Sequence, residues 1–135
     1  IYMVDSIFSK IVKQEIPCYK VAENNYFLAF LDINPLEKGH TIVIPKKEID
    51  YIFNIEDKLY KDFFVFAKYV ALGIQKVIEC RKVGLAVVGL EIPHAHIHLI
   101  PLNTGFEINF QKEKLKLTHD EFIKIANLIS EAIVM

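Results

Sequence analysis

The sequence predicts an α+β fold, a five-stranded antiparallel sheet with one long and two shorter helices. Three observations predict it. Five short runs rich in β-branched and aromatic residues lie between turn formers. The segment from Asn54 to Glu79 sustains a helical hydrophobic period. A second amphipathic stretch, "THDEFIKIANLISEAI", follows Thr118 near the end. A chain of 135 residues suits one domain with a real core. We expect a single domain over 1–135, with its core at 6–102 and a C-terminal helical extension at 103–135.

Taken in order, the first element is a short helix from Ser6 to Gln14. Asp5 or Ser6 caps it, Ile7, Phe8, Ile11 and Val12 form its apolar face, and Pro17 lies beyond its end. Strands follow at Tyr19–Ala22 and Tyr26–Leu31, joined by a tight turn at Glu23-Asn24-Asn25. A third, "HTIVIP" at 40–45, is β-branched and ends on proline. In the long helix, Leu59, Phe63, Phe66, Ala67, Val70, Ile74, Val77 and Ile78 share one face, with Asn54 as cap. The last two strands are "VGLAVVG" and "HAHIHLIPL", linked by Leu90–Pro93. Thr118 and Glu121 form a capping box for the final helix, whose buried stripe is Phe122, Ile125, Ala126, Ile129 and Ile133.

The formal net charge is −1, which leaves no basic stripe for a nucleic acid polymer. A single nucleotide held by a few groups remains compatible. Cys18 and Cys80 are far apart and in no CxxC pattern, so a reducing, cytoplasmic setting is expected. No apolar run reaches the ~18–20 residues of a membrane span, so no membrane partner is expected. The opening "IYMVDSIFSK" lacks signal-peptide layout, and Ile1-Tyr2-Met3 read as an appended remnant.

The informative stretch is "IPHAHIHLIP", residues 92–101. In a strand, residues i and i+2 share a face ~6.5–7 Å apart. His94, His96 and His98 therefore line one face, and Ala95, Ile97 and Leu99 turn to the core. A half-exposed polar edge is the bland reading, but three consecutive histidines make it a poor one. Metal binding is a second reading. It is geometrically awkward, because the outer pair stands ~13 Å apart and help from Glu91 or His40 would be needed. Nucleophilic catalysis at phosphorus is the third. A neutral imidazole, of pKa near ~6.5, is a good nucleophile when its far nitrogen is fixed and donors surround the phosphoryl oxygens.

"HAHIHLI" fits His-φ-His-φ-His-φ-φ, with φ apolar, and so resembles the signature of the histidine triad (HIT) superfamily. "SIFSKIVKQEIPCYKVAENNYFLAFLDINPLEKGHTIVIPKK" is similar to the amino-terminal half of its Hint branch. The resemblance spans roughly residues 6–102. It implies an α+β meander of five antiparallel strands, two-fold dimers, and nucleotide hydrolases or transferases acting at an α-phosphate. By position it implies that His96 is the nucleophile, forming a nucleotidyl-histidine that water hydrolyses. It puts His94 and His40 in a hydrogen-bonding line behind His96, and His98 on an α-phosphate oxygen. Asp32 would accept from the ribose hydroxyls. Phe8, Phe30, Leu31 and Ile33 would wall a purine pocket, and Gly89 would keep the tight turn before the triad.

Four departures matter. Where many Hint-branch members bind zinc through two cysteines and a histidine, this chain has Ser6, Ser9 and Glu48, so no structural zinc is expected. No cofactor is needed, although Mg²⁺ is compatible with a polyphosphate substrate. The usual Gln and Ser/Thr before the triad are replaced by Leu90, which cannot donate to phosphate, and Glu91. An ionised Glu91 would repel phosphate by ~1 kcal/mol or more; protonated, it would serve as the leaving group's acid. Pro93 stiffens the entry to the histidine strand. "GFEINFQKEKLKLTHDEF" is not the usual Hint ending, and it would shape the pocket or the dimer surface. His119 is expected on the surface. The expected activity is release of a nucleoside monophosphate from a phosphoramidate or a dinucleoside polyphosphate. The alternative is a purine nucleotide-binding module with little turnover.

Overall fold

In the computed structural model, which describes residues 5–135, the elements run α1 (Ile7–Val12), β1 (Lys20–Glu23), β2 (Phe27–Leu31), β3 (Thr41–Pro45), α2 (Asp57–Val77), β4 (Lys82–Ala86), β5 (Ile97–Leu102) and α3 (His119–Ala132). The stretch read as an appended remnant lies outside the described residues. All strand pairs are antiparallel, in the spatial order β1-β2-β3-β5-β4. The α+β class and its five strands and three helices are as expected. The meander holds through β3, after which β5 inserts between β3 and β4. The crossover through α2 delivers β4 to the far edge, leaving the slot beside β3 for the histidine strand.

Local chemistry sets the helix ends. Ser6 caps α1, its side chain accepting from the Ser9 amide. The Thr118–Glu121 capping box of α3 is formed in both directions. At α2 the cap is Glu56 rather than Asn54, its carboxylate accepting from the amides of Lys58 and Leu59. Ile52–Asn54 form a single 3₁₀ turn instead, which postpones the helix. The turn before β2 is an Asn24 device: Oδ1 accepts from the Tyr26 and Phe27 amides at 2.9 and 2.8 Å.

Both faces of the sheet are covered. Phe27, Ala29, Leu31, Val43, Ile97 and Leu99 face the helical layer, where they pack with Phe63, Val70 and Ile74 of α2 and Phe122 and Ile129 of α3. Burying apolar surface at ~25 cal/mol per Å² makes this layer the main source of stability. Leu28, Phe30, Ile42 and Ile44 turn to the opposite face, where Phe8 and Ile11 of α1 meet them. That double burial explains why β2 and, after Thr41, β3 read as continuous apolar runs rather than alternating. Gly73 lets α2 and α3 approach closely, since a Cβ there would fall 2.5 Å from Ile133 Cγ1.

Candidate functional site

The histidine segment keeps the expected alternation but not the expected ladder. Ala95, Ile97 and Leu99 sit in the helical-layer core, and His94, His96 and His98 turn to the α1 face. Strand pairing begins only at Ile97. Upstream, the His94 amide donates to Ile92 O and the Ala95 amide to Ile49 O, so the approach is pinned by loops instead. Gly89, at φ +71°, supplies the left-handed turn into it.

Backbone groups fix the proton positions on all four rings. The Leu36 amide donates to His40 Nδ1 at 3.0 Å, so neutral His40 carries its proton on Nε2. That nitrogen donates to His98 Nδ1 at 2.9 Å, which leaves His98 with an Nε2–H. His96 Nδ1 donates to His94 O at 2.8 Å, which leaves the lone pair on Nε2. His94 Nε2 donates to Pro45 O, and its Nδ1 accepts from Ser6 Oγ, each at 2.8 Å.

This corrects the expected line of His94 and His40 behind His96. His40 stands behind His98. His94 orients His96 through its carbonyl, while its ring faces α1. The reason is competition: His94 is fully buried against Ser6 and Pro45, and a ring so held cannot also reach His96. Burial favours the neutral form of every ring. It holds His94 and His96 below the ordinary range. Burial and the neighbouring His96 lower His98 to about 4. Burial, then the proximity of His98 and Lys114, lowers His40 to about 3.

His40, His96 and His98 border a cavity of about 710 Å³ that opens beside α1. Phe8, Phe30, Leu31, Asp32, Ile33, Gly89 and Glu91 line it too. The Phe8 ring stands edge-on to Phe30 and to His96, with centroids 5.6 and 5.0 Å away. Ile33 is exposed at the rim, and so is Glu91. Asp32 Oδ1 accepts from the Asn34 amide at 2.8 Å, and burial raises its pKa. His94 is the one member of the expected set that does not reach the cavity. Sequence reasoning missed Phe110, Gln111 and Lys114, which also line it. Their stretch has no hydrophobic period; its departure from the Hint pattern was the only signal. His119 is exposed as expected and hydrogen-bonds Tyr19 Oη at 2.7 Å.

Two clusters bear on metal binding. Asp32, His40 and His98 each offer a ligand atom within 4.8 Å of the others. The His40–His98 nitrogen pair is a hydrogen bond, and its 2.9 Å is shorter than the ~3.3 Å edge of a tetrahedral zinc site. Ser6, Ser9 and Glu48 converge on His94, where the Hint pattern has its zinc. Ser9 Oγ donates to Glu48 Oε1 at 2.8 Å and Ser6 N to the same oxygen at 2.6 Å. Neutral hydroxyls are poor zinc ligands, and hydrogen bonds already occupy these donors, so the set does not fit zinc.

The HIT domain profile matches residues 13–105. A HIT-like protein of Borreliella burgdorferi is 36% identical over 137 residues, covering 95% of this chain and 98% of that protein. The adenosine 5'-monophosphoramidase of Schizosaccharomyces pombe is 39% identical over 97 residues, 70% of this chain and 72% of its own. The crystal structure of a HIT-like protein from Bartonella henselae superposes with a TM-score of 0.85, at 24% identity, over 98% of this chain and 99% of that one; it bears on the fold alone. With the domain profile running through all three alternating histidines, and with a relative of this identity matched along nearly its whole length, the chain belongs to the HIT family.

Proposed function

We propose that the protein is a nucleotide hydrolase that releases a nucleoside monophosphate from a small leaving group, an amine in a phosphoramidate or a phosphate in a dinucleoside polyphosphate. The observation that carries this reading is the His96 ring, with Nδ1–H tied to a main-chain carbonyl and a lone pair left on Nε2 at the cavity. Held neutral by burial, that nitrogen is nucleophilic at pH 7. It attacks the α-phosphorus as the bond to the leaving group breaks. Glu91 at the mouth is the candidate acid for the departing atom. Water then attacks the same phosphorus, the P–N bond to His96 breaks, and the nucleoside monophosphate leaves. The His98 Nε2–H is the donor for an α-phosphate oxygen.

Asp32 accepts from the ribose hydroxyls, and Phe8, Phe30, Leu31 and Ile33 wall the purine. The adenosine 5'-monophosphoramidase relative supports an adenosine phosphoramidate as the first substrate to test. The mechanism uses no metal, and Mg²⁺ serves only to escort a polyphosphate. Two copies are expected to pair symmetrically through α2 and the open β4 edge. Among the described residues no helix is long and apolar enough to cross a membrane, in keeping with the proposed cytoplasmic setting.

Mixing the protein with an adenosine phosphoramidate, quenching in mild base and sequencing peptides by mass spectrometry tests this. A transient adenylyl adduct on the His96 peptide, lost in His96→Ala, is the expected result. Tight AMP binding with neither adduct nor turnover would favour the binding-module reading, which the loss of donors at Leu90 and Glu91 motivates.

A further inference from the structure

A phosphate site needs donors, and the approach to the triad offers few. Leu90 points 89% of its surface to solvent, and Glu91 offers a carboxyl group but no N–H. Burial keeps His40, His96 and His98 neutral at pH 7. The carboxyl groups of Asp32 and Glu91 line the same cavity. None of these groups brings a positive charge to a phosphate.

The chain after β5 supplies one. Residues 103–117 bring Phe110, Gln111 and Lys114 to the cavity, folded on themselves at the near end and fastened to the body at the far end. At the near end, the Glu107 carboxylate accepts from the amides of Asn103, Thr104 and Gly105 at 2.7, 3.0 and 2.8 Å. At the far end, the Leu115 amide donates to Pro35 O at 2.9 Å, and Lys112 pairs with Glu37 at 2.9 Å. Between these fastenings, Phe110 sets its ring edge-on to His98, 4.8 Å between centroids. Gln111 and Lys114 line the cavity beside it. Lys114 Nζ donates to Phe110 O and Lys112 O at 2.6 and 2.8 Å. An ammonium has a third N–H, and it meets no protein acceptor among the described residues. Lys114 is also the only lysine or arginine among the cavity's lining residues.

The geometry points to Lys114, with Gln111 beside it, as the group that binds the phosphate of a nucleotide and makes the cavity select nucleotides over nucleosides. This rests on the nucleotide reading above, and it moves the anion contact from the loop before the triad to the arm after it. Two carbonyls aim the ammonium, so its charge is pre-positioned rather than drawn from a mobile side chain.

Calorimetric binding of AMP and of adenosine to wild type, Lys114→Gln and Lys114→Arg tests it. Glutamine removes the charge and keeps an N–H donor on a side chain one bond shorter. Wild type is expected to prefer AMP. Lys114→Gln is expected to lose about tenfold or more of that preference with adenosine affinity unchanged, and Lys114→Arg to retain it. AMP binding to wild type should also weaken with added salt, and adenosine binding should not. If wild type binds neither ligand, the nucleotide reading falls and this inference with it. If wild type binds AMP and Lys114→Gln keeps the preference, or weakens both ligands equally, this inference alone falls.

Discussion

His40 Nε2 lies 2.9 Å from His98 Nδ1, and the Leu36 amide decides which of them carries the proton. Because that amide can only donate, His40 must present N–H to His98, and His98 must present N–H to the cavity. A main-chain group two hydrogen bonds away thus sets the polarity of the proposed phosphate contact. Removing the relay while keeping the fold is expected to show it. His40→Leu should lower turnover of an adenosine phosphoramidate by about tenfold to a hundredfold, short of the ~10²–10³ expected for losing a direct oxyanion donor such as His98. His40→Gln, which retains an N–H donor, should recover part of the loss. Steady-state kinetics on the pair, with KM and kcat separated, checks this.

Burying neutral imidazoles makes stability depend on acid. His98 falls to about 4 and His40 to about 3 in the folded chain, against ~6.5 unfolded. Between those values the unfolded chain binds protons that the folded chain refuses, so stability rises with pH and drops as acid is added. The contribution is fully present above pH ~6.5 and is lost progressively down to the folded values. For His98 alone the loss is on the order of 3 kcal/mol. Thermal midpoints measured from pH 7.5 to 4.5 should fall steadily below 6.5. His98→Asn should flatten that dependence.

Phe8 joins the proposed base wall to the proposed nucleophile, His96. Its ring touches Phe30 on one side and the His96 ring on the other, and it is almost wholly buried. Phe8→Ala should cost about 3 kcal/mol of stability through lost apolar contact and the cavity left behind. It should also weaken adenosine and AMP binding by the same factor, since the phosphate contacts remain. Denaturant melts and calorimetry on one preparation separate the two effects.

Much of this was readable because it is local. The period-2 histidines, the Thr118 capping box and the face running from Phe63 to Ile74 are each written within one short continuous stretch of sequence. What was not readable depends on partners distant in the chain. His94 looked like its two neighbours until Ser6, 88 residues away, claimed its Nδ1. The insertion of β5 beside β3 depends on where α2 deposits β4. The Phe110–Lys114 arm has no period, so only its fastenings at Glu107 and Glu37 give it a shape. Even the strand start at Ile97 rather than His94 reflects the Ile49 carbonyl, which takes the Ala95 amide out of any ladder.

The cluster at the start of α1 keeps the geometry of a metal clip without its chemistry. Ser6 Oγ and Ser9 Oγ stand 2.8 and 3.4 Å from His94 Nδ1, and Glu48 ties both serine residues from the opposite side. Serine hydroxyls do not give up their protons on meeting zinc at neutral pH, whereas cysteine thiols do. The carboxylate stays ionised because the Ser6 amide and the Ser9 hydroxyl hold its pKa down. Replacing all three residues at once, as Ser6→Cys, Ser9→Cys and Glu48→His, should leave His94 Nδ1 as a fourth ligand in a roughly tetrahedral set. The variant is expected to purify with about one zinc per chain and to melt higher than wild type, with EDTA reversing the gain. Glu48→His alone should melt lower, because Ser6 N and Ser9 Oγ lose their acceptor and nothing replaces it. Metal analysis and melting curves for the triple and single variants decide it, and a triple variant that melts unchanged with added zinc would show that α1 cannot close around an ion.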